Sequence, residues 1–487
     1  MTSAPELSAN ALRVLDARYL LRDRERRVIE TPGQMFERVA RAVAEAEAIF
    51  GDREGPSYWA ERYHALLTGR DFLPNSPTLM NAGTALGQLS ACFVLPIEDT
   101  MESIFEALKQ MALVQRTGGG TGFSFTRLRP QGDVVASTGG EASGPVSFMK
   151  IFDCATEHIK QSGKRRGANM GVLDVEHPDI LAFILAHLVR EPRGQAPLFD
   201  WQRLEAIVAE AVRFLDNVIE VNRYPLGAVE QMTRGTRKIG LGVMGFAEAL
   251  IRLGMSYDSD EAELFAERLM RSVAEAAARA SAALAARRGV FPAWKGSVYD
   301  AQQRKMRNAT RTAIAPTGTI GIIAGTSASI EPLFALAYRR KGVLGGQTLE
   351  EVNPLFVEFL ERRGLDRERV LLAVREHGRL AAVPDVPEEM KRLFVTALEI
   401  PAQRQLAMQA AFQRHADNSV SKTINLPQDA TPSEVAQAYR RAWELGLKGI
   451  TIYRYGARPA QVLELGVEEE AHHYDHASRC DPEECRI

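Results

Sequence analysis

The amino-acid sequence predicts a globular α/β protein, and three observations support this prediction. Residues 200–222 carry apolar side chains at helical spacing, and residues 259–288 are flanked by residues that begin and end helices. Short apolar runs at 422–426 and 449–453 are bounded by turn residues, as β-strands usually are. Hydrophobic residues make up 45% and charged residues 25% of the 487 residues, so the chain can bury a large core without disulfides.

The elements follow a clear order along the chain. Residues 1–70 are predicted to be helical because apolar side chains recur with helical periodicity and glycine is rare. Residues 71–185 are dense in Gly, Ser, Thr and Pro, which favours strands and loops. Ser259 and Gly289 are typical residues to begin and end the second long helix. Residues 312–338 again read as strand-like runs broken by turns.

Composition excludes several classes of protein. With a net charge of -2, the chain lacks the basic surface that captures nucleic acid, so no nucleic-acid partner is expected. No apolar run is long enough to span a membrane, and Met1–Asn10 does not resemble a signal peptide. Four cysteines suit a reducing compartment. We therefore expect a cytoplasmic protein with no membrane partner.

Four glycine-rich segments suggest a phosphorylated ligand, because successive exposed amides bind anions. They are residues 117–122, 137–140, 162–167 and 315–319, and the third adds three cations. The first is too rich in glycine for a helix or a central strand, which leaves a turn or an anion-binding loop. No Walker-type phosphate loop is present.

Residues 240–245 match the G-x-G-x-x-G pattern of dinucleotide-binding proteins. That function requires a preceding strand and an acidic residue about 20 positions later. The preceding residues 233–238 are expected to form a basic loop instead. Close packing on small residues is therefore the expected role of these glycines.

The cysteines fall into three settings. Cys92 lies at the start of a predicted strand beside the glycine-rich loops, whereas Cys154 lies in an amphipathic helix and is expected to be a small buried hydrophobe. Cys480 and Cys485 lie in an acidic, histidine-rich tail that we expect to be mobile. A mobile dithiol can carry electrons by thiol exchange. A zinc site with nearby histidines stays open as the rival for the tail, although we favour the dithiol and predict no metal site.

Nine motifs, in this order along the chain, resemble ribonucleotide reductase large subunits, and most of them resemble the class II, adenosylcobalamin-dependent branch. The motifs are residues 74–83 (Pro-Asn-Ser-Pro-Thr-Leu-Met-Asn-Ala-Gly), 90–96 (Ser-Ala-Cys-Phe-Val-Leu-Pro), 116–123, 162–170, 237–246, 314–319, 421–427, 446–454 and 480–485. The resemblance implies an α/β barrel of two five-stranded halves, preceded by a helical region at 1–70. It places the barrel at 71–465 and a redox tail at 466–487.

The resemblance also implies a function, which is the reduction of ribonucleotides to 2′-deoxyribonucleotides. In the family the adenosylcobalamin cofactor generates a radical, a finger-loop cysteine carries it, and a cysteine pair reduces the sugar. The implied partners are a ribonucleotide substrate, a deoxynucleotide or ATP effector and a thioredoxin-like reductant. The chain is expected to be a monomer or a homodimer.

Site residues carry over where the motifs match. Cys92 matches one member of the reducing pair, and Cys480 and Cys485 match the tail dithiol that restores that pair. The remaining matched residues are substrate contacts at Ser76, Ala91, Gly118, Pro316, Thr317, Gly318, Thr319 and Ile320, and an effector loop at Ser162, Gly163, Lys164, Arg165, Arg166 and Gly167.

The chain departs from the family pattern after residue 184. In the family a long block follows, containing barrel strands, the Asn-x-Cys-x-Glu finger loop and the second reducing cysteine. Here Ile184 runs directly into Leu185, and no Asn-x-Cys-x-Glu occurs. Two hypotheses therefore stay open: an adenosylcobalamin-dependent reductase, or a reductase-like nucleotide-binding protein. The missing cysteines predict that the chain as written does not turn over.

Overall fold

A computed structural model describes residues 5–51, 53–125, 127–129, 144–161, 165–166, 169–172, 181–184, 188–190, 197–344, 347–377, 380–457 and 463–465. The chain divides into two compact units. The larger unit comprises Met1–Phe334 and Pro387–Ala460, and the smaller comprises Ala335–Val386 and Gln461–Ile487.

The larger unit opens with the helices that the sequence predicts. They are α1 (Ala9–Arg18), α2 (Pro32–Ala44), α3 (Glu47–Phe50) and α4 (Gly55–Thr68). Helix α2 begins with a capping box, in which the Gln34 amide donates to Thr31 Oγ1 at 3.3 Å and the Thr31 amide donates to Gln34 Oε1 at 2.8 Å. Such a box satisfies amides at the helix start that have no partner in the helix.

A parallel sheet forms the first part of the α/β body. Its strands are β2 (Cys92–Leu95), β3 (Gly120–Ser124) and β6 (Asn169–Val172), with β3 in the centre. One face is covered by helices α6 (Met101–Arg116) and α7 (Gly144–His158), whose shared core with the sheet includes Phe123 and Phe152. Helix α5 (Ser76–Asn81) lies between the short strand β1 (Phe72–Leu73) and this sheet in the chain.

A second set of strands forms the rest of the body. Strand β7 (Leu181–Ile184) pairs with β1 in antiparallel and with β10 (Leu241–Met244) in parallel orientation. Parallel bridges continue the pairing from Leu241 to Thr312 and from Ile314 to Val420. Strand β13 (Thr423–Leu426) then pairs in parallel with β14 (Thr451–Arg454). Parallel strands with intervening helices are what the α/β class predicts.

The remaining helices of the larger unit connect and cover these strands. They are α8 (Trp201–Val221), α9 (Gly227–Thr236), α10 (Phe246–Leu253), α11 (Asp260–Arg288), α12 (Val298–Ala301), α13 (Gly318–Ala324), α16 (Glu388–Leu393), α17 (Ala402–Gln413) and α18 (Pro432–Glu444), with a 3₁₀ turn at Pro292–Trp294. The predicted caps of α11 are confirmed, since Ser259 accepts from the Ala262 amide at 3.2 Å and Gly289 follows the last residue with a φ of 82°.

Two predictions about secondary structure are wrong. Residues 71–185 contain the long helix α6, whose buried face (Ile104, Ala107, Met111, Val114) has helical spacing that the high content of turn residues concealed. Residues 312–338 contain helix α13, although Gly318 and Gly321 read as turn residues. Gly321 is required by packing, because a Cβ there would lie 3.2 Å from the Thr326 carbonyl oxygen.

The smaller unit contains an antiparallel sheet in the order β12-β11-β15 and two helices. The strands are β11 (Ala337–Leu344), β12 (Gln347–Val352) and β15 (Leu463–Leu465); the helices are α14 (Pro354–Arg362) and α15 (Arg367–His377), followed by a 3₁₀ turn at Leu380–Ala382. Across the parts of both units that the structure describes, no helix is long and apolar enough to cross a membrane.

Candidate active site

Cys92 begins strand β2, as the sequence predicts, and its side chain is exposed and reduced. The next strand residue, Phe93, is buried, so the alternation of the strand turns the Cys92 thiol away from the helices that cover the sheet. The Gly120 amide donates to the Ala91 carbonyl at 2.7 Å. This bond ties Ala91 and Cys92 to the start of the neighbouring strand β3.

Helix α5 begins with Ser76. Asn75 caps the helix by accepting from the Thr78 amide at 2.8 Å. The Ser76 hydroxyl is buried and shares a 2.8 Å hydrogen bond with the Tyr19 hydroxyl, which follows α1. Thr78 Oγ1 donates to the Leu89 carbonyl at 2.9 Å, so α5 also holds the segment that leads into Cys92.

The turn between α6 and β3 contains Gly118, whose φ of 99° favours glycine. Polar side chains fix this turn, since Asn81 Nδ2 donates to the Gln88 carbonyl at 2.7 Å and Gln88 Nε2 donates to Thr117 Oγ1 at 3.3 Å. A Cβ on Gly119 would lie 2.4 Å from the Phe93 ring. Residues 117–122 were predicted to be unsuitable for a central strand, and this is wrong: their second half belongs to the central strand β3.

The segment from Pro316 to Ile320 forms the start of helix α13. Thr317 has a φ of 44°, an uncommon conformation for a residue with a side chain. The Ser329 amide donates to Thr317 Oγ1 at 2.7 Å and holds it there. The amides of Gly318, Thr319 and Ile320 are the first of the helix and have no carbonyl partner in it. Such amides bind phosphate oxygens where the surrounding loop is fixed.

A second layer of contacts fixes the loop that follows α13. Glu248, buried in α10, accepts from the Ser327 amide at 2.9 Å and from the Thr326 hydroxyl at 3.1 Å. Gly245 has a φ of 75°, and a Cβ there would lie 2.5 Å from Thr326 Oγ1. The G-x-G-x-x-G motif is therefore strand β10 and its tight turn against this loop. The expectation of close packing is confirmed at Gly245.

Helix α1 contacts both groups of predicted substrate residues. It packs against α13, and Tyr19 at its end bonds Ser76. Arg70 also reaches α13, where it donates to the Ala324 carbonyl at 3.4 Å. The predicted contacts at Ser76 and at residues 316–320 thus share one supporting helix.

Other predicted site residues lie partly or wholly outside the description. Arg165 and Arg166 form strand β5, which pairs in antiparallel orientation with β4 (Lys160–Gln161). The remaining effector-loop residues Ser162, Gly163, Lys164 and Gly167, and the tail cysteines Cys480 and Cys485, lie outside the described residues. No group of potential metal ligands occurs among the residues that were described.

Cys154 contradicts its prediction, because its side chain is exposed rather than buried. On α7 the buried positions are Phe152 and Thr156, four residues apart, and Cys154 lies between them on the opposite side of the helix. It therefore does not belong to the core of α7.

A buried ion cluster, which the sequence analysis missed, fixes the helices around the site. Glu47 accepts from Arg213 Nε at 2.8 Å and from Arg288 Nη2 at 2.7 Å, and Asp216 accepts from Arg237 Nη2 at 2.7 Å. Burial opposes ionisation of Glu47, but hydrogen bonds from Arg213 and Asn217 and the charges of Arg288 and Arg213 lower its pKa to about 2. The pKa of Asp216 is also lowered, because the nearby arginines outweigh its burial.

The chain matches two family descriptions over almost its whole length. Residues 5–87 match the all-alpha domain of ribonucleotide reductase, and residues 90–195, 184–306 and 298–453 match its barrel domain. The chain belongs to the ribonucleotide reductase family. This confirms the predicted fold class.

Curated relatives and a solved structure agree with this assignment. A vitamin B12-dependent ribonucleoside-diphosphate reductase of Thermoplasma acidophilum is 41% identical over 95% of this chain and 81% of its own length. A protein of the same name from Mycobacterium tuberculosis is 42% identical over 94% of this chain and 81% of its own length. The class Id ribonucleotide reductase alpha subunit of Actinobacillus ureae has a TM-score of 0.73 at 19% identity, over 94% of this chain and 99% of that one.

The length of the first alignment supports the predicted departure from the family. It extends over 623 positions, whereas 95% of the 487 residues is about 463 residues. About 160 aligned positions therefore hold residues of the relative and a gap in this reductase.

Proposed function

We propose that this protein is an adenosylcobalamin-dependent reductase that converts ribonucleoside diphosphates to 2′-deoxyribonucleotides. The observations that carry the proposal are contacts between the matched segments: α5 and strand β3 bond the segment before Cys92, and α1 contacts both Ser76 and α13. The names of the relatives support both the diphosphate substrate and the cofactor.

The nucleotide is proposed to bind with its phosphates at the start of α13. There the amides of Gly318, Thr319 and Ile320 donate hydrogen bonds to phosphate oxygens, and the Thr317–Ser329 bond holds the turn in place. Ser76, Ala91 and Gly118 contact the rest of the substrate. This arrangement would place the sugar near the Cys92 thiol.

The chemistry proposed for this chain is thiol reduction. Removing the 2′-hydroxyl as water takes two electrons and protons, which a pair of thiols supplies by closing a disulfide. Cys92 matches one thiol of that pair, and no cysteine of this chain matches the second, so the disulfide closes only if a retained cysteine takes that place. In that case Cys480 and Cys485 would reduce the disulfide by exchange, and a thioredoxin-like protein would reduce the tail in turn.

Adenosylcobalamin supplies radical chemistry when bound, and that chemistry requires a cysteine to receive the radical. The cysteines of this chain therefore show whether its residues fit adenosylcobalamin. The sequence contains no cysteine between Cys154 and Cys480, and Cys154 faces outward from α7. The residues proposed to bind the nucleotide therefore fit the reaction. No cysteine of this chain matches the thiol that receives the radical or the thiol that pairs with Cys92.

That mismatch favours a second candidate function, which is nucleotide binding without turnover. One assay distinguishes the two functions: formation of labelled deoxyribonucleotide with adenosylcobalamin, effector and dithiol reductant, in the wild type and in Cys92→Ser. Product above the Cys92→Ser background supports the reductase. Equal background in both, together with calorimetric binding of the ribonucleoside diphosphate, supports the binding protein. No heat of binding would contradict both.

Effector binding, assembly and location extend the proposal. Residues 162–167 are proposed to respond to a deoxynucleotide or ATP effector, in a cytoplasmic monomer or homodimer without nucleic-acid or membrane partners. Calorimetry with deoxynucleotides tests effector binding. Light scattering with and without effector measures the assembly state.

The tail is proposed to form a reversible disulfide between Cys480 and Cys485. The two cysteines are close in sequence and flank a proline that can turn the chain. Thiol labelling of oxidised and reduced protein, followed by peptide mapping, should show labels only in the reduced tail. Zinc bound at one equivalent that blocks labelling would establish the metal site instead.

A further inference from the structure

Asn222, the residue that ends helix α8, contacts the segment directly before Cys92. Its side chain is buried, and both polar groups of its amide are used. Oδ1 accepts from the Leu89 amide at 2.6 Å, and Nδ2 donates to Ser90 Oγ at 3.1 Å. The two bonds fix the orientation of the Asn222 amide and, with it, two consecutive residues of the segment.

The opposite side of the same segment is held as well. Thr78 Oγ1 donates to the Leu89 carbonyl, and the Gly120 amide donates to the Ala91 carbonyl. Leu89 is therefore held at its amide by α8 and at its carbonyl by α5. Three backbone groups before Cys92 are therefore paired: the Leu89 amide, the Leu89 carbonyl and the Ala91 carbonyl.

Helix α8 is a rigid support for this contact. Asp216 and Asn217, on its last turns, belong to the buried ion cluster and bond Arg237 and Arg288. The next residue after the contact, Arg223, donates from its amide to the Gly87 carbonyl at 2.8 Å. The position of the segment before Cys92 is thus set by a helix that buried charges hold in place.

We propose that Asn222 is a positioning residue, which acts through Leu89 and Ser90 to hold the Cys92 thiol where a bound nucleotide covers it. Only the part of this proposal that concerns the bound nucleotide rests on the proposed function. The hydrogen bonds to Leu89 and Ser90 can be tested without any ligand.

The first experiment uses the full chain without ligand and compares Asn222→Leu with the wild type. Loss of the partner leaves the Leu89 amide unpaired, so its hydrogen exchange should become about tenfold faster or more. Asn222→Asp keeps an oxygen for the Leu89 amide and another for the Ser90 hydroxyl, so it should restore slow exchange. Ser90→Ala removes only the second bond and should have a smaller effect.

The second experiment measures alkylation of Cys92 with Cys154 as the internal reference, with and without a ribonucleoside diphosphate. The nucleotide should slow Cys92 alkylation in the wild type. In Asn222→Leu the concentration needed for the same protection should rise about tenfold, and in Asn222→Asp it should return toward the wild-type value. If the nucleotide does not protect Cys92 from alkylation in the wild type, the proposed function is contradicted. The exchange experiment would still test the positioning role of Asn222.

A matched control separates positioning from general destabilisation. Asn418 is a buried asparagine whose Nδ2 donates to Thr310 Oγ1 at 3.1 Å, remote in sequence from the Cys92 segment. Asn418→Leu should lower the melting temperature without changing Leu89 exchange or Cys92 protection. Unchanged Leu89 exchange in folded Asn222→Leu would overturn the proposal. If Asn222→Leu does not fold, the other variants decide. Leu89 exchange in Ser90→Ala equal to that of the wild type would overturn the proposal. Equal Leu89 exchange in Asn222→Asp and Asn222→Ala would overturn it too.

Discussion

Replacing Glu47 with glutamine should destabilise this reductase more than any exposed ion-pair substitution. The Glu47 side chain is fully buried, and its oxygens accept hydrogen bonds from Arg213, Arg288 and Asn217. In Glu47→Gln the guanidinium groups of Arg213 and Arg288 stay buried and lose the Glu47 charge, while Arg288 keeps its ion pair with Asp216. The amide also presents N–H groups to guanidinium donors, so at least one donor loses its acceptor.

The pKa of Glu47 gives the magnitude of the effect. It is lowered from 4.5 to about 2, chiefly because hydrogen bonds from Arg213 and Asn217 and the arginine charges outweigh the effect of burial. At 1.36 kcal/mol for each pKa unit, lowering the pKa by about 2.5 corresponds to a stabilisation of the folded state of about 3 kcal/mol at neutral pH. Removing one partner of a buried pair commonly costs about 3 to 5 kcal/mol, which agrees.

The sign of the pH dependence follows from the lowered pKa. The stabilisation is fully present above the unfolded-state pKa near 4.5 and is lost as the pH falls toward the folded-state pKa of about 2. Urea unfolding followed by circular dichroism, from about pH 7 down to about pH 3, should show the gap between wild type and variant narrowing below about pH 4.5. The control is Glu37→Gln, whose exposed partner Arg41 predicts a loss below about 1 kcal/mol. A Glu47→Gln loss no larger than that of Glu37→Gln, or a gap independent of pH, would refute the reasoning.

Three further substitutions have expected costs that thermal unfolding measures. Gly254→Ala, at a φ of 77° with nothing within 4 Å of a Cβ, should cost about 1 kcal/mol, whereas Gly245→Ala, at 75° with Thr326 Oγ1 2.5 Å from that Cβ, should cost more. Equal losses would show that Thr326 moves aside freely. Thr431→Ala removes the hydroxyl of the α18 capping box with Glu434 and should cost about 1 kcal/mol. An unchanged melting temperature would show that this helix start does not limit stability.

Periodicity and capping residues predicted much of the fold, but not all of it. Helix α8 was recognised because its apolar residues repeat at helical spacing, and α11 because Ser259 and Gly289 mark its ends. Helix α13 was missed because its two glycines read as turn residues. The second part of strand β3 was predicted as a strand-like run, but its start at Gly120 was read as a turn. Gly119, just before it, is needed where the turn passes the Phe93 ring. At Gly119 and Gly321 the sequence did not distinguish a glycine that close packing favours from a glycine that a turn needs.

The site was predicted from linear motifs, so residues that support it from distant parts of the chain were missed. Cys92, Ser76 and Gly118 lie within recognisable motifs. Asn222 lies more than one hundred residues after its partner Leu89, and Glu248 is far from Ser327 in the same way. Isolated asparagine and glutamate residues carry no local signal of such contacts, because the contacts depend on how helices and loops pack.

The pairing of strand β7 explains why nucleotide binding should persist even if turnover does not. A parallel pair needs a connection of about a dozen residues or more, usually helical. The chain between β7 and β10 contains helices α8 and α9, so it meets that requirement without the block that the family pattern predicts after Ile184. Strand β1 pairs with the other edge of β7, which leaves neither edge of β7 open. Since β10 leads through Gly245 to the Glu248 contacts that fix the loop after α13, the proposed phosphate site depends on pairings that this chain retains. The proposed reduction, in contrast, depends on cysteines that this chain does not retain.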